Sequence, residues 1–341
     1  MPKIKIAVAG LGFMGSTHLK ALRNLPDAEL VAVVSSDECK LSGDLSSIQG
    51  NLGGPGEKFD FSNVRKYRNV NEAIADPDID AIDLCLPSDQ HAPVAIDALR
   101  AGKHVFVEKP MALDVSQCEA MIAEAKKQKL VLMVAQVLRF FPAYTVLRDQ
   151  LQSGELGKIR SAIFRRRCAA PAWGKWSFDA AKSGGGVFDL LIHDVDMCLH
   201  LFGPPQAVSA LGYVDLEAGM DTMSASLTYE GINDVVITGG WYHRKAYPFS
   251  MEYTVSADGG TVDYSSLGRV PTLYKNDGEE HILPDSGVDG YEAEISYFLD
   301  CIRHNRWPEI CPPEQSAAAV HLMRVMEESR TRGGERLIFR G

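Results

Sequence analysis

Six residues near the start of the chain, Gly10-Leu11-Gly12-Phe13-Met14-Gly15, restrict the fold more than any other stretch. A GxGxxG run says little alone; it gains meaning when a strand precedes it and a helix opens on it. Here Lys3–Ala9 has the apolar, β-branched character of a strand, and Met14–Leu25 reads as a helix. In that setting Gly10 permits a tight turn, Gly12 lets backbone N–H groups approach a pyrophosphate, and Gly15 lets helix and strand pack closely. The helix N-terminus adds partial positive charge for the anion. A structural turn that merely needs glycine is the alternative, and the βαβ surroundings favour dinucleotide binding over it.

The alternation of strand and helix continues to about residue 135. Strand-like runs at Glu29–Val34, Ala81–Leu86, His104–Val107 and Leu130–Ala135 are separated by helical stretches at Asn71–Ala75, Ala92–Ala101 and Val115–Gln128. In the last helix Cys118, Met121, Ile122 and Ala125 form an i, i+3, i+4, i+7 stripe. This grammar predicts right-handed βαβ units and a doubly wound parallel sheet of Rossmann type, covered on both faces. A Gly/Pro-rich insert (Gly50, Gly53, Gly54, Pro55, Gly56) reads as a mobile loop.

After about Gly157 the pattern changes. Lys158–Cys168, Ala207–Tyr213, Thr222–Tyr229, Val235–Trp241, Met251–Ala257 and Thr261–Tyr264 are strand-like, with hairpin turns at Glu230-Gly231 and Asp258-Gly259. One helix, Val187–Phe202, interrupts them, and two more, Tyr291–His304 and Pro313–Arg332, end the chain. The expectation is an α/β protein of two domains. Residues 1–135 form a dinucleotide-binding domain. Residues 136–341 form an α+β substrate-binding and oligomerisation domain with a large, mostly antiparallel open sheet, its last helices free to pack back on the first domain.

Composition narrows the partners. The chain has 341 residues, enough for two domains, and 45 acidic against 35 basic side chains give a net charge of −10. An acidic chain is a poor match for nucleic acid, whose phosphates want a basic surface. No apolar run approaches the ~20 residues that span a bilayer, so no membrane partner is expected. The opening MPKIKIAVAG lacks a secretory-leader pattern. Seven scattered cysteines without a CxxC suit reduced thiols in a cytoplasm rather than disulfides or a zinc site.

Three places carry candidate chemistry. At the end of the second strand, where an acidic side chain would hold the ribose hydroxyls of NAD, stand Ser35 and Ser36, with Asp37 just beyond and no arginine adjacent in sequence. Small hydroxyls accept a 2′-phosphate without repulsion, which leans the choice between NAD and NADP slightly toward NADP. Next, Val105-Phe106-Val107-Glu108-Lys109-Pro110 puts Lys109 just past the carboxyl end of a parallel strand, where doubly wound sheets bind ligands. Pro110 cannot continue the ladder and fixes the turn. A lysine there can hydrogen-bond a substrate hydroxyl or favour the alkoxide that hydride loss requires.

Third, Gly184-Gly185-Gly186 precedes Asp189 and His193, which are i, i+4 and share a helix face. Histidine can take a hydroxyl proton near neutral pH, and a carboxylate one turn away can orient the ring or stabilise its cation. The glycines are expected to let the backbone come close to a ligand. His193, Asp196 and His200 also lie at i, i+3, i+7, but no further ligand cluster supports a metal, and none is expected.

With these motifs in order the chain resembles the Gfo/Idh/MocA oxidoreductases, the glucose–fructose oxidoreductase and inositol dehydrogenase family. The likeness covers nearly the whole chain: Gly10–Gly15, PSDQH from Pro87 to His91, AGKHVFVEKP from Ala101 to Pro110, RFFP from Arg139 to Pro142, SGELGK from Ser153 to Lys158, Asp189–His193 in DLLIHDVD, and the closing stretch from Tyr291 to Pro313. The resemblance implies Lys109 as the substrate-hydroxyl lysine, His193 as acid/base and Asp189 as its carboxylate. It implies a cofactor site drawn from Gly10, Gly12, Phe13, Met14, Gly15, Ser35, Ser36, Pro87, His91, Glu108 and Lys109, and a homodimer or homotetramer joined through the second sheet. Arg139 and Trp173 are candidate substrate contacts; Trp176, Trp241 and His243 are softer ones. Arg165-Arg166-Arg167 reads as a mostly solvated or interface face.

The expected activity is NAD(P)-dependent hydride transfer at a secondary alcohol carbon of a sugar, cyclitol or related polyol. The same scaffold also resembles glycoside hydrolases that oxidise, eliminate and reduce with no net redox change. Those need one more acid/base group, for which Tyr242, His243 or Tyr291 is available. A dinucleotide-binding sensor would need no proton-transfer set.

Overall fold

The apolar runs of the first 135 residues pair where their lengths allow. The structure, a computed structural model, describes residues 2–50, 56–171 and 175–340. Six strands, β1 (Ile4–Ala9), β2 (Ala28–Val34), β3 (Arg65–Tyr67), β4 (Ala81–Leu84), β5 (His104–Glu108) and β6 (Leu132–Ala135), form a parallel sheet in the order β3-β2-β1-β4-β5-β6. The helices α1 (Phe13–Arg23), α2 (Glu38–Leu41), α3 (Val70–Ala75), α4 (Ser88–Arg100) and α5 (Val115–Gln128) connect them. Strand order reverses between β1 and β4, so a crevice opens at their carboxyl ends, beside the glycine loop and near Lys109. Helix α4 starts four residues earlier than expected. Pro93 looks like a first-turn residue, yet the helix begins at Ser88 behind Pro87 and carries Pro93 inside it.

The second sheet is built on alternation. After α6 (Pro142–Gln152) come β7 (Ile159–Ala169), α7 (Ala180–Ser183), α8 (Gly186–Phe202), and the strands β8 (Ala207–Asp215), β9 (Met220–Tyr229), β10 (Ile232–His243), β11 (Ser250–Ala257), β12 (Gly260–Ser265), β13 (Arg269–Lys275) and β14 (Glu280–Ile282). Helices α9 (Gly290–Arg303) and α10 (Pro313–Thr331) and the two-residue β15 (Leu337–Ile338) follow. Among the described residues this sheet has nine strands, in the order β14-β13-β12-β11-β7-β10-β9-β8-β15. Among the described strands of this sheet only β7 and β10 pair in parallel. The hairpin turns fall at Glu230-Gly231 and Asp258-Gly259 as expected. Strands β3, β13, β14 and β15 carry weak signals: they are short or exposed, and β13 contains Pro271.

The chain divides into two compact units, residues 1–137 with 288–317, and residues 138–287 with 318–341. Among the described residues no helix is long and apolar enough to cross a membrane. The Gly53, Gly54 and Pro55 part of the predicted loop lies outside the described residues.

One expectation changes in the second unit. Arg165 and Arg167 do lie on the outer face of β7, where both hold Glu252 of β11. Arg166 points the other way and is buried, its Nε and Nη2 donating to the two carboxylate oxygens of Asp194 on α8 at 2.8 and 3.1 Å. Strand alternation alone forces this split. A second buried pair lies at the other side of the same helix: Arg139 donates to Asp196 at 2.8 and 2.7 Å.

Helix α8 is thus apolar almost all round, and its two buried carboxylates each meet a guanidinium in fork geometry. Removing one partner of such a pair leaves an uncompensated buried charge, costing about 3–5 kcal/mol, whereas replacing both with apolar groups is often close to neutral. Arg139→Met should therefore lower the unfolding free energy by that amount, and the double change Arg139→Met, Asp196→Leu should recover most of it. Urea unfolding of the three proteins measures the difference; a double variant as unstable as the single one contradicts the account.

Candidate active site

The first unit brings the glycine loop to the crevice with each glycine in a different role. Gly10 has φ +100°, and a Cβ there would lie 2.3 Å from the Cys85 carbonyl oxygen. A Cβ on Gly15 would lie 1.9 Å from the Gly10 carbonyl oxygen, so β1, α1 and the end of β4 meet backbone to backbone. Gly12 differs: nothing lies within 4 Å of its would-be Cβ. It N-caps α1 without a side-chain partner, and the first turn carries no acidic residue. A helix N-terminus and open space over Gly12 fit a dinucleotide pyrophosphate. Phe13 and Met14 open the helix, and Phe13 lines a cavity of roughly 210 Å³ with Ser16, Thr17 and Lys20.

At the end of β2 the Ser35 amide donates to the Tyr67 carbonyl, and the Ser35 hydroxyl accepts from the Asp37 amide. The Asp37 carboxylate is engaged in capping α2, accepting the Cys39 N–H at 2.9 Å. Sequence reading found no arginine next to the serines, yet the fold supplies one. Arg68, directly after β3, reaches the Ser36 carbonyl at 3.4 Å and Glu38 at 2.6 Å. It lies 32 residues from Ser36 in the chain, and only the β2–β3 pairing brings it near.

Lys109 is half-buried just beyond β5, and its peptide bond to Pro110 is cis. The buried Glu108 accepts the Lys109 backbone N–H at 3.0 Å through Oε2. His91, an expected cofactor contact, is buried with Nδ1 2.8 Å from the Pro110 carbonyl oxygen and Nε2 2.8 Å from that of Leu86. Burial pushes its pKa down while the two carbonyls pull it up. Both ring nitrogens therefore face the protein, and His91 braces the loop after β4 against the turn that carries Lys109. Pro87 caps α4 beside it.

In the second unit Asp189 and His193 lie one turn apart on α8, both half-buried. Asp189 sits by the end of β7: the Cys168 thiol there is pushed up to about 12 by burial and, next, by the Asp189 charge. The glycines before the helix serve packing. A Cβ on Gly184 would lie 2.7 Å from the Phe188 ring, on Gly185 3.0 Å from Asp221 Oδ2, and on Gly186 2.6 Å from the Trp241 ring. The expectation that these glycines admit a ligand is thus replaced by close contact with the protein's own side chains. Sequence reading also missed Asp221 of β9. It accepts the Val187 N–H at 3.0 Å, capping the start of α8, and holds Arg330 of α10 at 2.6 Å.

The remaining candidates separate. Arg139 is fully buried against Asp196, a bracing position rather than an open one, and that engagement removes Asp196 from the metal trio with His193 and His200. His200 is pushed down to about 4 by burial and then by Arg139 and Arg148. Trp173 lies outside the described residues; Trp176 is half-buried. Trp241 packs with Cys168 and Leu190, and His243 stacks on Tyr247 with ring centroids 3.7 Å apart. Tyr291 belongs to the first unit, inside it beside His18.

Two family models match. Residues 4–136 fit the model described as "Oxidoreductase family, NAD-binding Rossmann fold", and residues 144–263 fit the GFO/IDH/MocA C-terminal domain. Among curated proteins, myo-inositol 2-dehydrogenase of Thermotoga maritima is 30% identical over 90% of this chain and 86% of its own length. The scyllo-inositol 2-dehydrogenase (NAD(+)) of Bacillus subtilis is 28% identical over 90% and 88%. A solved levoglucosan dehydrogenase, in complex with NADH and L-sorbose, shares the fold with a TM-score of 0.84 over 99% of both chains, at 18% identity.

The glycine geometry makes a sharp contrast testable. Gly15→Ala must displace backbone and should cost about 1–3 kcal/mol of stability. Gly12→Ala, in an allowed conformation with open space, should leave stability within about 0.5 kcal/mol and instead weaken NAD(H) or NADP(H) binding at least tenfold. Urea unfolding and fluorescence titration of the nucleotide separate the two; equal nucleotide affinity in Gly12→Ala and the unmodified protein contradicts the assignment.

Proposed function

From membership of the Gfo/Idh/MocA oxidoreductases, the family to which this chain belongs, we propose that it oxidises and reduces a secondary alcohol carbon of a cyclitol, sugar or related polyol with a nicotinamide dinucleotide. The observation that carries this reading is the pairing of the open Gly12 cradle with Lys109 at the carboxyl end of β5, beside the strand-order reversal. The bound nicotinamide supplies the hydride acceptor or donor. Lys109 hydrogen-bonds the substrate oxygen and favours its alkoxide character. His193 takes the hydroxyl proton as the carbon gives up its hydride, and returns it in the reverse direction. Asp189 orients the His193 ring and favours its cation. Two relatives bear names of inositol dehydrogenases, which supports a cyclitol within the substrate class.

Of the two dinucleotides, NADP is the reading that Ser35, Ser36 and Arg68 support. The hydroxyls bring no charge against a 2′-phosphate, Asp37 is turned to its capping bond, and the Arg68 guanidinium lies at the same strand ends. Self-association through the open sheet is supported by its exposed apolar residues, Leu211, Tyr213, Ile163 and Tyr242 among them.

Two experiments test these assignments. In a panel of inositols, aldoses and chromogenic glycosides with NAD and NADP, nicotinamide reduction is expected to track polyol oxidation. Lys109→Ala and His193→Ala should each lower kcat at least a hundredfold with nucleotide affinity unchanged within about threefold, the order expected of a lost acid/base group. Unaltered turnover in both, or aglycone release without nicotinamide reduction, overturns the reading. Separately, Arg68→Ala should raise the KM for NADP(H) about tenfold, as loss of a charged hydrogen bond worth about 1.5–3 kcal/mol does, and leave that for NAD(H) unchanged.

A further inference from the structure

Beneath the glycine loop the first unit buries a set of titratable groups that the reaction above does not use. His18 lies on α1, its ring wholly inside. Its Nδ1 is 2.9 and 3.0 Å from the two carboxylate oxygens of Asp83 on β4, and 3.4 Å from the Cys85 sulfur. Its Nε2 lies 3.1 Å from Oε1 of Glu108 on β5, an ion-pair distance without hydrogen-bond alignment. The other oxygen of that carboxylate accepts the backbone N–H of Lys109. From α9 the cluster is closed by Tyr291, with ring centroid 6.4 Å from that of His18, and by the fully buried Glu294. Phe106 stacks on the imidazole at 5.5 Å.

A neutral imidazole has one N–H and one lone pair, and the lone pair would face a carboxylate at whichever nitrogen lacked the proton. The cation sets one positive charge between both carboxylates, hydrogen-bonded to Asp83 and ion-paired with Glu108. Burial is the largest influence on the ring and pulls its pKa down, but the Asp83 charge, the Cys85 sulfur and their hydrogen bonds outweigh it, and the pKa stands well above the ordinary value. Glu294, whose carboxyl oxygens have no hydrogen-bond partner among the described residues, has its pKa pushed well above the ordinary carboxyl value by burial.

We propose that His18 is a positioning residue for Lys109, acting through Glu108: the chain Asp83–His18–Glu108–Lys109 N–H ties the helix that opens the glycine loop to the turn that presents the lysine. The Lys109 backbone amide is fixed to a carboxylate that an imidazolium holds in place. Dinucleotide contact at the start of α1 and placement of the lysine are then mechanically linked through one buried ring. The inference rests on the reading of Lys109 as the substrate-hydroxyl lysine, and the test separates failure of one from failure of the other.

The first measurement needs no activity. Two-bond proton–nitrogen correlation spectra of the full chain carrying ¹⁵N-histidine, with His18 assigned by its loss in His18→Gln, should show both His18 ring nitrogens protonated up to pH 8. A neutral tautomer at pH 7 overturns the proposal. The second is kinetic. Glu108→Gln and His18→Gln should each lower kcat tenfold or more, with nucleotide affinity within about twofold, and the double variant should be no slower than the worse single. Glu108→Asp, which keeps the charge but shortens the reach, should not restore kcat. Independent, multiplying losses, or an unchanged kcat in Glu108→Gln, overturn the coupling; if Glu108→Gln does not fold, the His18 spectrum of the unmodified chain decides. Should Lys109→Ala retain full turnover while His18 proves cationic, the role given to Lys109 fails and the buried charge chain stands as structure only.

Discussion

The close crossing of three backbones at Gly10, Gly15 and Cys85 is the constraint on which the first unit depends. No side chain fits there: a single methyl on Gly15 would lie 1.9 Å from the Gly10 carbonyl oxygen, far inside van der Waals contact. The crossing brings α1 down onto β1 and β4, and three consequences follow from that one approach. The helix N-terminus points over the carboxyl edge of the sheet, where the strand order reverses. Nothing lies within 4 Å of the Cβ position of Gly12, so that side of the turn faces open space. His18, a little more than a turn into the helix, is driven into the sheet between Asp83 and Glu108. A larger residue at position 15 would lift the helix and undo all three.

The second unit solves a different problem, the burial of charge. Helix α8 carries Asp194 and Asp196 with their side chains completely enclosed, which is tolerable only because Arg166 and Arg139 approach in bidentate geometry. Asp221, also buried, is shared between the first turn of α8 and Arg330. Three long-range charge contacts therefore fix the rotation of one helix. For a helix carrying Asp189 and His193 on one face, rotation decides where that face looks, and an apolar helix packed only by dispersion would have several near-equivalent settings.

Much of this was legible in the sequence, and what was not has a common cause. Hydrophobic period gave the two sheets, Val115–Gln128 to the residue, and the two hairpin turns, because each depends on neighbours in the chain. The position of Lys109 followed from a strand followed by proline. Partnerships across long separations were invisible: the spacing of Asp196 from His193 and His200 was on view, too few ligands for a metal, and its guanidinium, 57 residues away, was not. Arg166 looked solvated for the same reason, although strand alternation already required the middle arginine of three to face opposite to its neighbours. The serines after β2 seemed to lack a cation until β3 laid Arg68 beside them.

The glycines show why motif spacing reads some functions and not others. Gly10, Gly12 and Gly15 follow a pattern tied to a strand–helix junction, so each position carries a separate geometric demand, and only Gly12 opens outward. Gly184, Gly185 and Gly186 are contiguous and equally suggestive of a ligand, yet Phe188, Asp221 and Trp241 already occupy the space a side chain would take. Absence of a Cβ marks close approach; it does not say what approaches. In the first unit Gly10 and Gly15 meet the chain's own backbone, and only at Gly12 is the approaching body absent from the described chain. In the second, the chain supplies its own. The distinction rests on whether a would-be Cβ meets atoms or emptiness, a quantity no single sequence contains.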